Sequence, residues 1–243
     1  MDKKPLQKAS EHKLKLIKII DEAHDTKTFR VEAPKNADID FLPGQFFMVR
    51  FEEDRALKRA YSISSSPADK GYMEITMNLV GEFTKKLWQC KANGHLIFTG
   101  PYGKFYFDEG MKGNLVLIGG GLGITPLRSI IRYCNGKKLP NKINLIYSAR
   151  TPEAIAYKEE LENFEKKNPN YNFAFTITRP KPEHKWNGLV GRIDKELLSR
   201  NIENIEKTLF FICGPLQFVK DIREMLESLG AKKEQVKADI WGE

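Results

Sequence analysis

The sequence predicts two domains: an α+β N-terminal domain built on an antiparallel β-barrel over residues 1–110, and an α/β domain with a Rossmann-like parallel sheet over residues 111–243. The first half contains short segments that alternate apolar and polar residues and are broken by turns, which is typical of a small barrel. The second half instead alternates fully apolar segments with helical ones, which indicates a parallel sheet covered on both faces. The change of period places the boundary near residues 108–113.

Each short alternating segment of the first half predicts one strand. The predicted strands cover residues 13–20, 27–34, 43–53, 59–67, 71–80 and 94–100. A helix over residues 82–94 interrupts them, because Phe83, Leu87 and Cys90 recur at helical spacing and Gly94 is a typical helix stop.

In the second half, continuous apolar runs predict strands over residues 114–120, 142–149, 172–179, 208–214 and 235–241. Between them, helical periodicity covers residues 125–134, 154–167, 194–200 and 216–230. Consecutive strand–helix units of this kind build a doubly wound α/β domain.

Composition indicates a soluble globular protein, with 41% hydrophobic and 30% charged residues, and no apolar run is long enough to span a bilayer. The basic N-terminal segment lacks the apolar stretch of a signal peptide. Three cysteines, far apart in sequence, argue for reduced thiols and a cytoplasmic location, and leave no four-cysteine set for an iron–sulfur cluster. The four histidines show no metal-ligand spacing, so no metal site is expected.

The net charge of +8 raises the question of a nucleic acid partner. However, the lysines are scattered among acidic residues on helix faces, and no compact basic motif stands out. A basic surface fits an acidic protein partner better, because complementary charge accelerates encounter.

A glycine-rich turn joins the first apolar strand of the second half to the helix that follows it. Gly120, Gly121 and Gly123 would let backbone approach a pyrophosphate, and Thr125 and Pro126 open the helix whose N-terminus attracts its charge. A tight turn without a ligand would use glycine in the same way. The third glycine of the Rossmann pattern is missing, and Pro126 lies near its position.

The second strand of this half ends at Arg150, where NAD-binding folds usually place an acidic residue for the ribose hydroxyls. Thr178 and Arg179 end the third strand, and Arg192 follows shortly after. Three arginines near strand ends could clamp a 2′-phosphate, although each alone is also an ordinary surface residue.

Taken together, the motifs resemble those of the ferredoxin–NADP reductase superfamily over nearly the whole chain from residue 13. The similar segments are RAYS at 59–62, GEFTKKL at 81–87, GPYGKF at 100–105, GGGLGITP at 119–126, CGP at 213–215 and a C-terminal aromatic, in that order. The resemblance implies an FAD cofactor, with FMN as the alternative, and NADPH or NADH as substrate.

In this family the RAYS-like strand holds the flavin. The resemblance implies that Arg59 faces a flavin phosphate, Tyr61 packs on the isoalloxazine, and Ser62 lies beside flavin N5, with Ala60 between them. It also implies that Gly81, Glu82, Phe83 and Thr84 offer backbone N–H groups and a hydroxyl to the pyrophosphate. An adenine could stack on Tyr102 or Phe105, which are equally plausible barrel core residues.

The resemblance assigns the remaining site residues to the second half. Cys213, followed by Gly214 and Pro215, would border the nicotinamide C4, although a small buried hydrophobe is an equally good interpretation of this cysteine. Trp241 would cover the second face of the flavin. Asp239 stands where the family often carries a glutamate, so a proton-relay role for this shorter acid departs from the pattern.

The leading hypothesis is therefore a flavoprotein oxidoreductase that moves a hydride from NAD(P)H, with NADPH modestly preferred, to FAD. Electrons would pass to a separate acidic acceptor such as a ferredoxin, a flavodoxin or an oxygenase component. One alternative is a non-catalytic subunit that binds flavin or nucleotide for redox sensing or assembly. Another is a plain nucleotide-binding protein whose barrel holds no flavin.

Overall fold

A computed structural model of the chain describes residues 8–33 and 39–241. The start of the basic N-terminal segment and the end of the predicted 27–34 strand lie outside these residues. Contacts divide the chain into two compact units, one comprising residues up to Met111 together with Arg128–Lys137, and the other comprising Lys112–Leu127 and residues from Lys138 onward.

The first unit is an antiparallel six-stranded sheet. Its elements are β1 (Ser10–Ala23), β2 (Thr26–Glu32), β3 (Phe46–Phe51), β4 (Lys58–Ser62), β5 (Tyr72–Asn78), α1 (Gly81–Trp88) and β6 (His95–Tyr102). The strand order is β4-β3-β6-β1-β2-β5, and an antiparallel bridge between Ile63 and Ile75 joins its two edges. The sheet therefore closes into the barrel that the alternating segments predict.

The barrel is filled by inward-facing side chains from every strand. Fully buried members include Phe29, Phe47, Ile63, Ile75 and Phe98. Helix α1 adds Phe83 and Leu87 to the same core, and it ends at Trp88 rather than near residue 94. The helix cannot continue to residue 94 because Asn93 and Gly94 form backbone hydrogen bonds with Leu16 of β1, and Asn93 has a left-handed φ of 82°.

The second unit is a parallel six-stranded sheet with helices. Its elements are β7 (Asn114–Gly120), α2 (Ile124–Gly136), β8 (Ile143–Ala149), α3 (Lys158–Lys167), β9 (Tyr171–Ile177), β10 (Leu189–Val190), α4 (Lys195–Arg200), β11 (Thr208–Gly214), α5 (Leu216–Ser228) and β12 (Val236–Ile240), with α2 from Arg128 onward grouped with the first unit. The strand order is β10-β9-β8-β7-β11-β12. The chain starts this sheet at β7, adds β8, β9 and β10 on one side of it, and then returns to add β11 and β12 on the other side. This change of side is the doubly wound pattern.

Two elements of this unit differ from those that the hydrophobic periodicity predicts. Helix α3 begins at Lys158 rather than near residue 154, because Tyr157 adopts a left-handed φ of 60° while Ile155 and Ala156 are buried in the core. The short edge strand β10 was not predicted, since both of its residues are exposed and show no alternation.

A buried carboxylate, Glu74 on β5, lies at the centre of an ion network within the first unit. Glu74 is 1% exposed, and each of its oxygens faces one arginine. Arg30 on β2 donates to Oε1 from Nε at 2.8 Å, and Arg128 on α2 donates to Oε2 from Nη1 at 2.7 Å. Burial raises the pKa of Glu74, but Arg128 and Arg30 together lower it by more, so the carboxylate pKa lies below its ordinary value of 4.5.

We expect Glu74→Gln to destabilise the fold by about 3 kcal/mol at neutral pH, because the buried guanidinium of Arg128 and the partly buried one of Arg30 lose their counter-charge. A carboxylate with a lowered folded-state pKa stabilises fully above its unfolded pKa and loses that contribution as pH falls through the folded pKa. The difference in unfolding free energy between wild type and variant should therefore shrink below pH 4.5. Urea unfolding at stepped pH, with the exposed Glu227→Gln as control, measures it. A difference that does not change with pH would contradict the assignment.

Candidate flavin and nucleotide site

Strand β4 presents two candidate cofactor residues on one side. Arg59 and Tyr61 are two positions apart and so share a face of the strand, while Ala60 and Ser62 lie on the other face, opposite Met48 and Phe46 of β3 respectively. Tyr61 is half-buried on Phe83 of helix α1, with ring centroids 5.5 Å apart. Burial raises the pKa of the Tyr61 hydroxyl, and the positive charge of Arg59 lowers it in part.

Arg59 is exposed, and within the described chain the hydrogen bond of its guanidinium goes only to the backbone carbonyl of Lys58, at 2.8 Å. No described acidic side chain neutralises it. A fork-shaped cation of permanent charge is thus available at the surface of β4, which is the chemistry that binds a phosphate.

Helix α1 begins as an uncapped N-terminus. Val80, its N-cap residue, is 71% exposed and provides no side-chain cap, and Gly81 has a φ of 73° with open space where a Cβ would stand. The Thr84 hydroxyl accepts a hydrogen bond from the Val80 N–H at 2.7 Å and also donates to the Val80 carbonyl, so it secures the first turn of its own helix. Glu82 is exposed and Phe83 is buried. The first-turn N–H groups suit an anion.

The serines that follow β4 have a structural role that sequence reasoning missed. Strand β4 ends at Ser62 instead of continuing through the predicted 59–67 segment, and Ser64, Ser65 and Ser66 are buried. The Ser64 N–H donates to the Glu74 carbonyl at 2.8 Å, and the Ser65 hydroxyl accepts from the Glu74 N–H at 2.9 Å. The run of three serines was the available signal for a hydrogen-bonded segment, because serine hydroxyls can be buried where partners satisfy them.

The glycine turn of the second unit is built by close packing as well as by turn geometry. It forms a 3₁₀ turn over Gly121–Gly123 between β7 and α2. A Cβ on Gly123 would lie closer than 3.0 Å to the Cys213 carbonyl oxygen, and one on Gly120 would press on the Phe218 ring at 3.1 Å. Gly121 has a φ of 55°. These glycines therefore have packing reasons of their own, and the same lack of side chains leaves backbone accessible.

The first turn of α2 contains Thr125 and Pro126. The Thr125 hydroxyl donates to the Leu122 carbonyl at 2.9 Å, so it closes the 3₁₀ turn onto the helix. Pro126 is the third residue of α2 and has no N–H that would need an intrahelical partner.

Cys213 and Asp239 are neighbours on adjacent parallel strands. They are paired in register between β11 and β12, and Cys213 is 2% exposed. Burial raises the pKa of the Cys213 thiol well above its ordinary value, and Asp239 raises it further, so the thiol remains protonated. Burial also raises the pKa of Asp239, which the Ile240 backbone N–H lowers in part. A protonated thiol is no nucleophile.

Two further predicted residues surround this strand end. Gly214 packs under the Phe218 ring, and Pro215 precedes helix α5 without a side-chain cap. The backbone N–H of Trp241 donates to the Gly214 carbonyl at 3.2 Å. Trp241 is 37% exposed, and its ring lies 3.3 Å from where a Cβ on Gly121 would stand. The indole ring of Trp241 thus lies next to the glycine turn.

The three predicted arginines lie at the carboxyl ends of adjacent strands. Arg150 follows β8, Arg179 follows β9, and Arg192 follows β10. The Arg179 N–H donates to the Arg150 carbonyl at 2.8 Å, while Thr178 donates to the Ala149 carbonyl, so these strand ends stay paired. All three side chains are exposed and make no ion pair with the residues that the structure describes. The cluster forms an uncompensated positive edge.

The two aromatic residues considered for adenine stacking, Tyr102 and Phe105, have different surroundings in the structure. Phe105 is buried, which makes it a core residue, whereas Tyr102 is half-exposed and lies 5.7 Å from the Phe46 ring centroid. Among the described residues, no group of His, Cys, Asp and Glu is arranged to hold a metal ion, and no helix is both long and apolar enough to cross a membrane.

An antiparallel barrel that presents Arg59 and Tyr61, followed by a parallel sheet with a glycine turn, defines a two-domain flavin and nicotinamide nucleotide oxidoreductase. Family models agree: residues 13–107 match the oxidoreductase FAD-binding domain, and residues 117–224 match the oxidoreductase NAD-binding domain. The chain belongs to the ferredoxin–NADP reductase-like family of NAD(P)H-dependent flavoprotein oxidoreductases.

Individual proteins share this organisation. The chain is 32% identical to NADH-cytochrome b5 reductase 2 of Candida glabrata, over 92% of this chain and 82% of the relative. It is 28% identical to one component of the Na(+)-translocating NADH-quinone reductase of Serratia proteamaculans, over 90% of this chain but only 58% of that relative. The fold matches a ferredoxin NADP+ reductase from Neisseria gonorrhoeae with bound FAD and NADP, with a TM-score of 0.80, 24% identity and coverage of 95% of this chain and 98% of that one.

We expect Gly123→Ala to destabilise the fold by about 1–3 kcal/mol, because the added methyl group would overlap the Cys213 carbonyl. Chemical unfolding of the nucleotide-free chain measures this, and Gly94→Ala is the matched control because its new methyl group would meet nothing closer than 3.7 Å. If Gly123→Ala keeps wild-type stability and loses only nucleotide affinity, the packing explanation is wrong.

Proposed function

We propose that this chain oxidises NADPH in preference to NADH through bound FAD and delivers the electrons to a separate, acidic acceptor. The observation that carries the proposal is the paired placement of Arg59 and Tyr61 on one face of β4, with Tyr61 packed on the helix α1 whose N-terminus is uncapped. When bound, the flavin supplies the redox chemistry, since it accepts a hydride and releases electrons one or two at a time.

FAD rather than FMN fits the charge arrangement of the barrel. Arg59 offers a fork-shaped cation, and the first turn of α1 at Gly81–Thr84 offers backbone N–H groups. Two separate anion-binding features suit a diphosphate better than a single terminal phosphate.

The remaining site residues are assigned roles consistent with their surroundings. Ser62 would offer its hydroxyl as a hydrogen-bond donor to N5 of a bound flavin. Protonated Cys213, backed by Asp239, provides a small, uncharged surface that orients the nicotinamide. Trp241 provides the aromatic face against which a flat cofactor ring stacks.

The acceptor is proposed to be an acidic protein of the ferredoxin or flavodoxin type, or an oxygenase component. The net charge of +8 supports this, because complementary charge accelerates association. Cys90, Cys134 and Cys213 are all free thiols, which supports a reducing, cytoplasmic location.

Steady turnover with ferricyanide tests the catalytic proposal. We expect the FAD-loaded chain to reduce many equivalents of ferricyanide per protein with NADPH as donor.

We also expect Ser62→Ala to slow anaerobic flavin reduction about tenfold with little change in nucleotide affinity. A tenfold lower rate corresponds to an activation barrier higher by about 1.4 kcal/mol. Ser62→Thr, which keeps the hydroxyl, should restore most of the rate. A single stoichiometric reduction without turnover would instead favour a non-catalytic electron-transfer or sensing subunit, and equal losses of rate and affinity would remove Ser62 from N5.

The nucleotide preference is tested at the arginine edge. We expect Arg179→Ala combined with Arg192→Ala to raise the KM for NADPH at least tenfold and to change that for NADH less than twofold, because only NADPH carries the 2′-phosphate. Arg200→Ala, which removes an exposed arginine on α4 of the same unit, is the control. Equal responses of the two nucleotides to the double substitution would disprove the clamp.

A further inference from the structure

The backbone immediately after the proposed flavin strand is fixed from outside the strand. Residues Ile63–Ser66 continue directly from Ser62, so their position, together with the pairing of Ser62 with Phe46 on β3, sets where the Ser62 peptide lies. The Ile63 N–H donates to the Gln45 carbonyl at 3.0 Å, and the Ser64 N–H donates to the Glu74 carbonyl at 2.8 Å. These bonds use the Ile63 and Ser64 N–H groups and leave the Ser64 and Ser65 carbonyls to other donors.

Helix α2 supplies those donors. Arg128 Nη1 donates to the Ser64 carbonyl at 3.0 Å and, from the same nitrogen, to Glu74 Oε2 at 2.7 Å. The next residue, Ser129, donates its hydroxyl to the Ser65 carbonyl at 2.6 Å. The Arg128 side chain is 6% exposed, so water does not compete for these bonds.

Arg30 provides an internal comparison. It binds the other oxygen of Glu74, at 2.7–2.8 Å, and its guanidinium lies 4.1 Å from the Tyr72 ring centroid. Neither of these contacts involves the Ile63–Ser66 backbone. Removal of either arginine leaves Glu74 with one partner, but only the removal of Arg128 also releases the Ser64 carbonyl.

We infer that Arg128 and Ser129 are positioning residues for flavin reduction: they hold the Ile63–Ser66 backbone and thereby fix Ser62 where the proposed function needs its hydroxyl. The inference rests on that proposed function for its catalytic consequence, whereas its structural part stands on the contacts alone. A displacement of about 1 Å at a catalytic hydrogen bond can cost about 100-fold in rate, so anchoring of this peptide has a measurable effect.

The experiment compares Arg128→Met with Arg30→Met in the full chain. Methionine has similar length and removes the charge and every donor. In the flavin-free protein, hydrogen–deuterium exchange at the Ile63 and Ser64 amides should accelerate about tenfold more in Arg128→Met than in Arg30→Met. In the FAD-loaded protein, Arg128→Met should slow anaerobic reduction by NADPH at least tenfold and shift the visible flavin spectrum, whereas Arg30→Met should change the rate less than twofold.

Arg128→Lys, whose ammonium can still donate, should recover part of both losses. If Arg128→Met does not fold, Ser129→Ala replaces it, with Ser228→Ala on α5 as its control, and the same two readouts should move in the same direction by a smaller factor. Equal exchange and equal rates in the matched pairs would overturn the inference. A wild-type chain that binds no flavin would instead overturn the proposed function, while the exchange comparison would still decide the anchoring.

Discussion

The structure of the first unit depends on one buried charge, the Glu74 carboxylate. Removal of a carboxylate from water costs several kcal/mol, and only well-placed partners compensate for it. Here one guanidinium faces each oxygen, Arg30 from β2 and Arg128 from α2. Because the backbone of Glu74 also binds Ser64 and Ser65, the same residue joins strand β5 to the segment that follows β4. A neutral residue of similar shape could fill the space but could not bind all these groups.

The candidate site contains two kinds of residue: some are buried and packed within the fold, and others are exposed and charged. Gly123 and Cys213 are fixed by mutual contact, and burial keeps the Cys213 thiol protonated. Arg59 and the arginine edge of the second unit are exposed and have no described acidic partner. Buried parts of a site provide shape and orientation, while charges left without a counter-ion provide affinity for phosphate. The proposed function assigns these two groups of residues those two roles.

Much of the fold could be predicted because the hydrophobic period differs between a half-buried strand, a fully buried strand and a helix. The edge strand β10 could not be predicted, since it has only two residues, Leu189 and Val190, and both are exposed. The start of α3 could not either, because the left-handed Tyr157 is set by tertiary packing rather than by its own preference.

Candidate site residues could be proposed from the sequence where a local motif suggests the chemistry, as at Arg59, Tyr61 and the glycine turn, and their roles stay predictions. The Glu74 network was not, because Arg30 and Arg128 lie 44 and 54 residues from Glu74 in sequence and no short pattern joins them. The apolar run around Cys213 already allowed a buried cysteine, but its register with Asp239 on β12 follows from strand pairing that a single sequence does not show.

The central claim, that this chain passes electrons from a reduced nicotinamide to a bound flavin, is tested most directly by one anaerobic titration. The purified chain is loaded with FAD and titrated with NADPH, and a second sample with NADH, while the visible spectrum is followed. We expect the yellow absorbance to bleach with about one equivalent of NADPH, since one hydride reduces one flavin, and to bleach more slowly with NADH. A chain that retains no flavin, or whose flavin stays oxidised with both nucleotides, would contradict the account.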